Sequence, residues 1–136
     1  MEIFYFYFMG YSPIVKSLSH QAKESVMATQ AVIFDLATFN PGMLRQAQND
    51  GSHCALISEL PHREAEQRLQ SMFGETAHHV FSVVLAGADF SSVGHASPYQ
   101  VVLRLLEVAP EDAIAVTRSP RALKAAHSAR LNISGP

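Results

Sequence analysis

The stretch AVIFDLATFN, residues 31–40, is an apolar run that ends in a single aspartate, Asp35, and passes into small and polar residues. Ala31 to Phe34 include the β-branched and aromatic types that suit a strand, so the segment reads as a buried strand entering a loop. A carboxylate at the carboxyl end of such a strand is where open α/β sheets keep their ligand chemistry. These sites usually supply a second polar group close by, yet two residues on stands Ala37. The reading of the chain therefore turns on whether Asp35 is a working nucleophile or the remnant of one.

Downstream of this stretch, short apolar runs alternate with helical patterns. PGMLRQAQNDG (41–51) begins with Pro-Gly and ends in Asn-Asp-Gly, a short helix with stop signals. HCALIS (53–58) is the next apolar run. PHREAEQRLQSMF (61–73) sets Ala65, Leu69, Met72 and Phe73 at helical spacing. HVFSVVLAG (79–87) predicts a third strand. A loop with Gly87, Gly94 and Ser-Pro leads to PYQVVLRLLEVA (98–109), where Val102, Leu105, Leu106 and Ala109 share a face. DAIAVT (112–117) is a fourth run, SPRALKAAHSAR (119–130) a helix with Pro near its first turn, and LNIS (131–134) a fifth strand. Strands alternating with helices of this length predict βαβ units and a parallel sheet covered on both faces. The strands are continuously apolar rather than alternating, which agrees with burial on both faces.

The bulk composition suits a single domain. The chain has 136 residues, of which 48% are hydrophobic and 16% charged, a balance with much to bury and no room for wholesale disorder. Ten basic and twelve acidic residues give a formal charge of −2, scattered without a stripe. That excludes a general attraction to nucleic acid or to an anionic membrane surface. Cys54 is the only cysteine, so no intramolecular disulfide forms, and a reducing cytoplasmic setting is expected. Cys54 itself, at the start of a strand, is expected to be a buried structural thiol. His78 and His79 are adjacent, and His53, His62 and His127 lack ligand spacing, so no zinc site is expected.

Residues 1–29 are set apart from a core over 30–136. IFYFYFM (3–9) is intensely apolar, but Gly10 and Pro13 follow, and the run falls far short of the roughly 20 residues a membrane helix needs. Glu2 stands where a signal peptide carries a cation. The segment reads as a leader or upstream extension, with MATQAVIFDL from Met27 opening as compact α/β domains open. The rival readings are an extra edge strand or a self-association patch.

Taken together, the runs over residues 30–134 resemble the haloacid dehalogenase superfamily of hydrolases, specifically a phosphoglycolate-phosphatase-like core without a cap. That superfamily's first motif is a strand ending in Asp-x-Asp-x-Thr, and VIFDLATF occupies its place. The second is a strand ending in Ser or Thr, matched by ALISELPHREAE with Ser58. The third is a Lys ahead of a Pro-rich helix start, matched in shape by GHASPYQVVLRLLEVAPEDA. The fourth is a strand ending in Gly-Asp-Ser followed by a helix, matched by IAVTRSPRALKAAHSA. The resemblance implies a three-layer Rossmann-like domain with a parallel sheet of order 5-4-1-2-3. Only 22 residues separate Asp35 from Ser58, too few for a cap domain, and the core ends soon after the fifth strand, as a truncated member of the superfamily would.

The resemblance also implies a mechanism. The first Asp attacks phosphorus to give an aspartyl-phosphate, the second serves as general acid and then base, and Mg²⁺ held by the first and fourth motifs screens the anions. Carried over position by position, Asp35 falls at the nucleophile and Ser58 at the phosphate-holding hydroxyl. Ala37 replaces the acid/base. Phe39 stands where Thr is expected, with Thr38 as its substitute, and His95 falls at the Lys. Thr117 and Arg118 replace Gly-Asp at the metal site, so Asp35 alone is left to hold Mg²⁺. Arg118 is expected to pair with Asp35 in the ion's stead; the bland alternative sends it to solvent. Arg130 stands where a Gly usually ends the last helix.

These losses point to a phosphatase-like domain that is catalytically degenerate and binds a small phosphorylated ligand, an anion or a protein partner at the former cleft. The first alternative is a weak capless phosphohydrolase acting on a small phosphomonoester through Asp35. The second is a self-association module, hence an oligomer, driven by the aromatic N-terminus.

Overall fold

A computed structural model of the chain describes residues 2–6 and 29–134. Six strands form one sheet: β1 (Glu2–Phe6), β2 (Ala31–Asp35), β3 (His53–Ile57), β4 (Val83–Ala86), β5 (Ala113–Val116) and β6 (Asn132–Ser134), in the order β1-β4-β3-β2-β5-β6. β2 to β6 run parallel, and β1 joins the β4 edge antiparallel. Numbered along the chain, the five parallel strands have the order 5-4-1-2-3, as the resemblance implies. β1 realises the edge-strand reading for Glu2–Phe6. The remainder of the expected leader, residues 7–28, lies outside the described residues.

All five residues of β2 are buried, because helices cover both faces. Successive side chains alternate between those faces. Ala31 and Ile33 join Ala55, Ile57, Val83, Leu85, Ala113 and Ala115 on one side. Val32 and Phe34 join Cys54, Leu56, Val84, Ala86 and Val116 on the other. The first side is covered by α4 (Pro98–Leu106) through Tyr99, Val102, Leu103 and Leu106, and by α5 (Pro120–Ser128) through Ala122, Ala125 and Ala126. The second is covered by α1 (Pro41–Asn49) through Leu44 and Ala47, and by α2 (His62–Phe73) through Ala65 and Leu69. Four phenylalanines hold that second layer together: Phe34, Phe39, Phe73 and Phe81 meet edge to face at centroid distances of 5.4–6.5 Å. Edge-to-face geometry sets positive ring edges on negative ring faces.

The helix ends follow their sequence signals. Asn40 caps α1 by accepting from the N–H groups of Gly42 and Met43 at 2.9 and 3.2 Å, with Pro41 in the first turn. Ser119 caps α5 by accepting from Ala122 N–H at 3.4 Å. The run read as a strand over 79–87 is shorter. Ala77–Val80 make a single helical turn, α3, and pairing begins at Val83, opposite Ala55. Among the described residues, no helix is long and apolar enough to cross a membrane.

Two features of the frame are testable. After α5 the chain turns through Arg130 with φ +68°, a left-handed conformation that costs a side-chain-bearing residue about 1–2 kcal/mol. Arg130→Gly is therefore expected to stabilise the domain by about 0.5–1 kcal/mol in urea unfolding, after the larger chain entropy of glycine is offset. Burial pushes the Cys54 thiol from 9.0 up to about 12, leaving on the order of a thousandfold less thiolate at pH 8 than in the unfolded chain. Labelling by an aromatic disulfide should be correspondingly slow in native protein and fast in denaturant.

Candidate functional site

The parallel strands leave β2 with neighbours reached in opposite directions, β3 on one side and β5 on the other. In open α/β sheets such a reversal is where a crevice lies outside the carboxyl ends of the strands, and three polar residues stand at those ends here. Asp35 ends β2 and is paired in register with Ile57, so Ser58 lies one step beyond it on β3. Phe34 pairs with Val116, which brings Thr117 level with Asp35 on the other side. All three are buried, each 1% exposed.

The Asp35 carboxylate accepts three hydrogen bonds. Ala37 N–H donates to Oδ1 at 3.1 Å, the aspartate's own turn, and this fixes the 3₁₀ turn Leu36–Thr38. Thr117 Oγ1 donates to Oδ2 at 3.0 Å and Thr38 Oγ1 at 3.2 Å, the two hydroxyls lying 3.3 Å apart. Each hydroxyl in turn accepts a backbone N–H, Thr38 from Arg118 at 3.1 Å and Thr117 from Ser119 at 3.0 Å. With their lone pairs engaged by amides, both threonines turn their protons to the carboxylate, an acceptor-only group when ionised.

This arrangement replaces the expected Asp35–Arg118 pair. Arg118 is exposed, and among the described residues no salt bridge joins its guanidinium to Asp35. Its contribution is the backbone N–H to Thr38. In an extended segment only one of two successive side chains faces a given neighbour, and here Thr117 takes that place. Thr38 Oγ1 faces the Asp35 carboxylate, while Phe39 turns away into the aromatic cluster.

The other expected residues separate. Ser58 stands at the strand ends, and its Oγ accepts from Leu60 N–H at 3.0 Å, so its proton is left to donate. His95 lies in the exposed 3₁₀ turn Gly94–Ala96 ahead of α4, where its carbonyl accepts from Arg104 Nη2 at 2.6 Å. Two further residues carry no local sequence signal. Tyr99 is fully buried, and its hydroxyl has no hydrogen-bond partner among the described residues. Burial, and then the charge of Asp35, push its ionisation far above the ordinary tyrosine range. Arg121, at the start of α5, reaches Glu59 at 3.1 Å and Asp89 at 3.7 Å, across the loops that follow β3 and β4. The Asp89 carboxyl is held below its ordinary value by the hydroxyl and N–H of Ser91, and by Arg121.

Mg²⁺ favours near-octahedral oxygen ligands and one or two carboxylates. Among the described residues Asp35 is the one buried carboxylate at these strand ends, Glu59 and Asp89 being turned to Arg121 in the flanking loops, and three donors already engage its two oxygens. Among the described residues no three His, Cys, Asp or Glu side chains converge as a ligand group. The residues present do not fit the ion that the resemblance implies.

No family profile matches the sequence, and no curated protein does. Solved structures do share the fold. The core domain of a protein provisionally assigned as a phosphoglycolate phosphatase, from Streptococcus pneumoniae TIGR4, aligns with TM-score 0.58 and 14% identity over 79% of each chain. A protein provisionally assigned as a beta-phosphoglucomutase, from Thermotoga maritima, aligns with TM-score 0.55 and 30% identity over 71% of this chain. One provisionally assigned as a 3-deoxy-D-manno-octulosonate 8-phosphate phosphatase, from Vibrio cholerae, aligns with TM-score 0.50 and 15% identity over 84% of this chain. This chain spans 45% of the Thermotoga protein and 65% of the Vibrio one. The first and third likenesses concern the fold alone. With the strand order and the strand-end stretches, the chain is a haloacid dehalogenase-like core, phosphatase-like in its fold.

The donor set around Asp35 yields opposite expectations for two neighbouring residues. Thr117→Val keeps the shape but strips one donor from a buried carboxylate and leaves Ser119 N–H unpaired, so it should cost about 1–3 kcal/mol in chemical denaturation. Arg118→Ala removes an exposed side chain and should stay within about 0.5 kcal/mol of the parent. The reverse order of costs would restore the Asp35–Arg118 pair.

Proposed function

We propose that this haloacid dehalogenase-like core is a catalytically degenerate phosphatase-like domain, whose strand-end crevice binds an anion or a partner without hydrolysing it. One observation carries the reading: the carboxylate at the nucleophile position is 1% exposed, and three hydrogen-bond donors already engage its two oxygens. A nucleophile needs a lone pair aimed at the reacting atom, whereas this carboxylate caps a turn and ties the β2 and β5 loops together. Its chemical neighbours point the same way. Ala37 offers no proton to a leaving group. Thr117 and Arg118 supply a hydroxyl and a cation where a second carboxylate is needed to recruit Mg²⁺, so metal affinity is expected to be weak. A dianionic phosphate approaching Asp35 unscreened meets like charge in a low-dielectric crevice.

What remains suits recognition of a small phosphorylated ligand or another anion. The Ser58 hydroxyl has a proton to donate, and Arg118 projects an exposed guanidinium from the β5 loop. Arginine is the side chain best matched to phosphate and carboxylate. His95 is exposed in the loop before α4.

The purified chain should show no Mg²⁺-dependent turnover of p-nitrophenyl phosphate above the buffer rate. Turnover that Asp35→Asn abolishes would overturn the degenerate reading in favour of a weak capless phosphohydrolase. Binding is tested separately: inorganic phosphate should shift the amide resonances of Thr38, Ser58 and Arg118. In calorimetry, the parent should bind Mg²⁺ weakly or not at all, and Ala37→Asp combined with Arg118→Asp should gain a saturable site. If the double variant folds and gains none, the loops have left the geometry of the superfamily altogether.

A further inference from the structure

On the face of the sheet that carries α4 and α5, a cavity of about 360 Å³ opens between the two helices, under the loop that follows β4. It lies at the lower end of the size range of small-molecule sites. Phe90, Ala125 and Ala129 give it apolar lining, and Ser97, Arg121 and Lys124 give it polar groups. No carboxylate lines it, in a chain whose acidic residues outnumber its basic ones.

Ser97 is the most informative of these. It is 5% exposed and stands at the N-cap of α4, where a serine hydroxyl ordinarily bonds a first-turn N–H. Here it makes no capping bond. Its N–H donates to Gly94 O at 3.1 Å and its carbonyl accepts from Val101 N–H at 3.0 Å, so the backbone is engaged while the hydroxyl is left to the cavity. A hydroxyl that makes no capping bond and faces the cavity is free to donate to a ligand there.

The two cations differ. Arg121 is held at the cavity by Glu59 and Asp89, which neutralise much of its charge. Lys124, one turn further along α5, has no ion pair among the described residues. The loop roof is itself built: Ser91 donates its N–H and its hydroxyl to Asp89 at 2.9 and 2.6 Å, and Phe90 stacks on Tyr99 with centroids 5.7 Å apart.

We propose that this cavity is a second ligand site, separate from the Asp35 crevice, for a small organic anion with an apolar body. The anionic group pairs with Lys124 and accepts from Ser97, and the body lies against Phe90, Ala125 and Ala129. Neither an inorganic anion nor a neutral aromatic satisfies both halves.

The probe is phenyl phosphate, with inorganic phosphate and phenol as its separate halves, titrated into the full chain and followed by amide resonances. Phenyl phosphate should perturb Ser97, Lys124 and Ala129 saturably, at concentrations where neither half does. Ser97→Ala removes no capping bond, so the fold should tolerate it; that variant and Lys124→Ala should each weaken binding by about tenfold. Arg118→Ala should leave it unchanged. Shifts confined to Thr38, Ser58 and Arg118 would overturn the second site while supporting the crevice reading. Shifts at the cavity that Lys124→Ala and Ser97→Ala leave intact would overturn the assignment of its polar groups. An absence of shifts in both places would reject both proposals.

Discussion

A buried carboxylate organises the carboxyl edge of this sheet. Asp35 sits between two parallel neighbours in a layer closed on both faces, where an unpaired charge would cost several kcal/mol. The chain answers with two relays, each running from a backbone N–H through a threonine hydroxyl to the same carboxylate oxygen. Because the donors come from the loops after β2 and β5, the pairing fixes those loops relative to each other across 82 positions of sequence. The turn that places Phe39 is part of the same construction, since Asp35 Oδ1 holds it from below. Phe39 in that place closes the aromatic cluster with Phe34, Phe73 and Phe81.

Much of the frame was legible in the sequence because burial on both faces writes itself as continuous apolar runs. AVIFD, HCALI and AIAV emerge within a residue or two of their observed limits, and so do the helices over 41–51 and 61–73, while the helix expected over 98–109 ends three residues early at Leu106. The HVFSVV run was less faithful. Its partner strand begins at His53, Ala55 meets Val83, and Ser82 N–H still bonds Cys54 O, so it is the residues before Phe81 that lack a strand to pair with, and Ala77–Val80 coil into a helical turn. Strand order was legible only through the resemblance, since hydrophobicity does not say which run lies beside which.

The site was legible by position and not by contact. Asp35, Ser58, Thr38 and Thr117 fall at strand ends that the alternation of elements predicts. Charge made Arg118 the obvious partner for Asp35, but direction decides, and the side chain facing the carboxylate belongs to Thr117. Thr117 carried a signal, being a hydroxyl in the last position of a buried strand. Arg121 carried none. Its partners are 62 and 32 residues away, on other loops, and only the folded sheet edge brings them within reach. The Tyr99 hydroxyl is equally silent in sequence, where it reads as one more apolar position on the buried face of α4.

The losses at the crevice are coupled. In the superfamily mechanism that the resemblance implies, a metal ion between the first and fourth motifs is what allows a carboxylate to stay charged in a dry place. Once the fourth-motif carboxylate is gone, Asp35 needs other neutralising partners, and short hydroxyl side chains reach it without a cation. Thr117 does so from the position that the resemblance matches to the superfamily's glycine. Ala37, two residues on from Asp35, adds no second charge beside it, where another buried carboxylate would add repulsion. Asp35 ties the loops after β2 and β5 together at the sheet edge, a structural demand that holds whether or not the crevice catalyses anything.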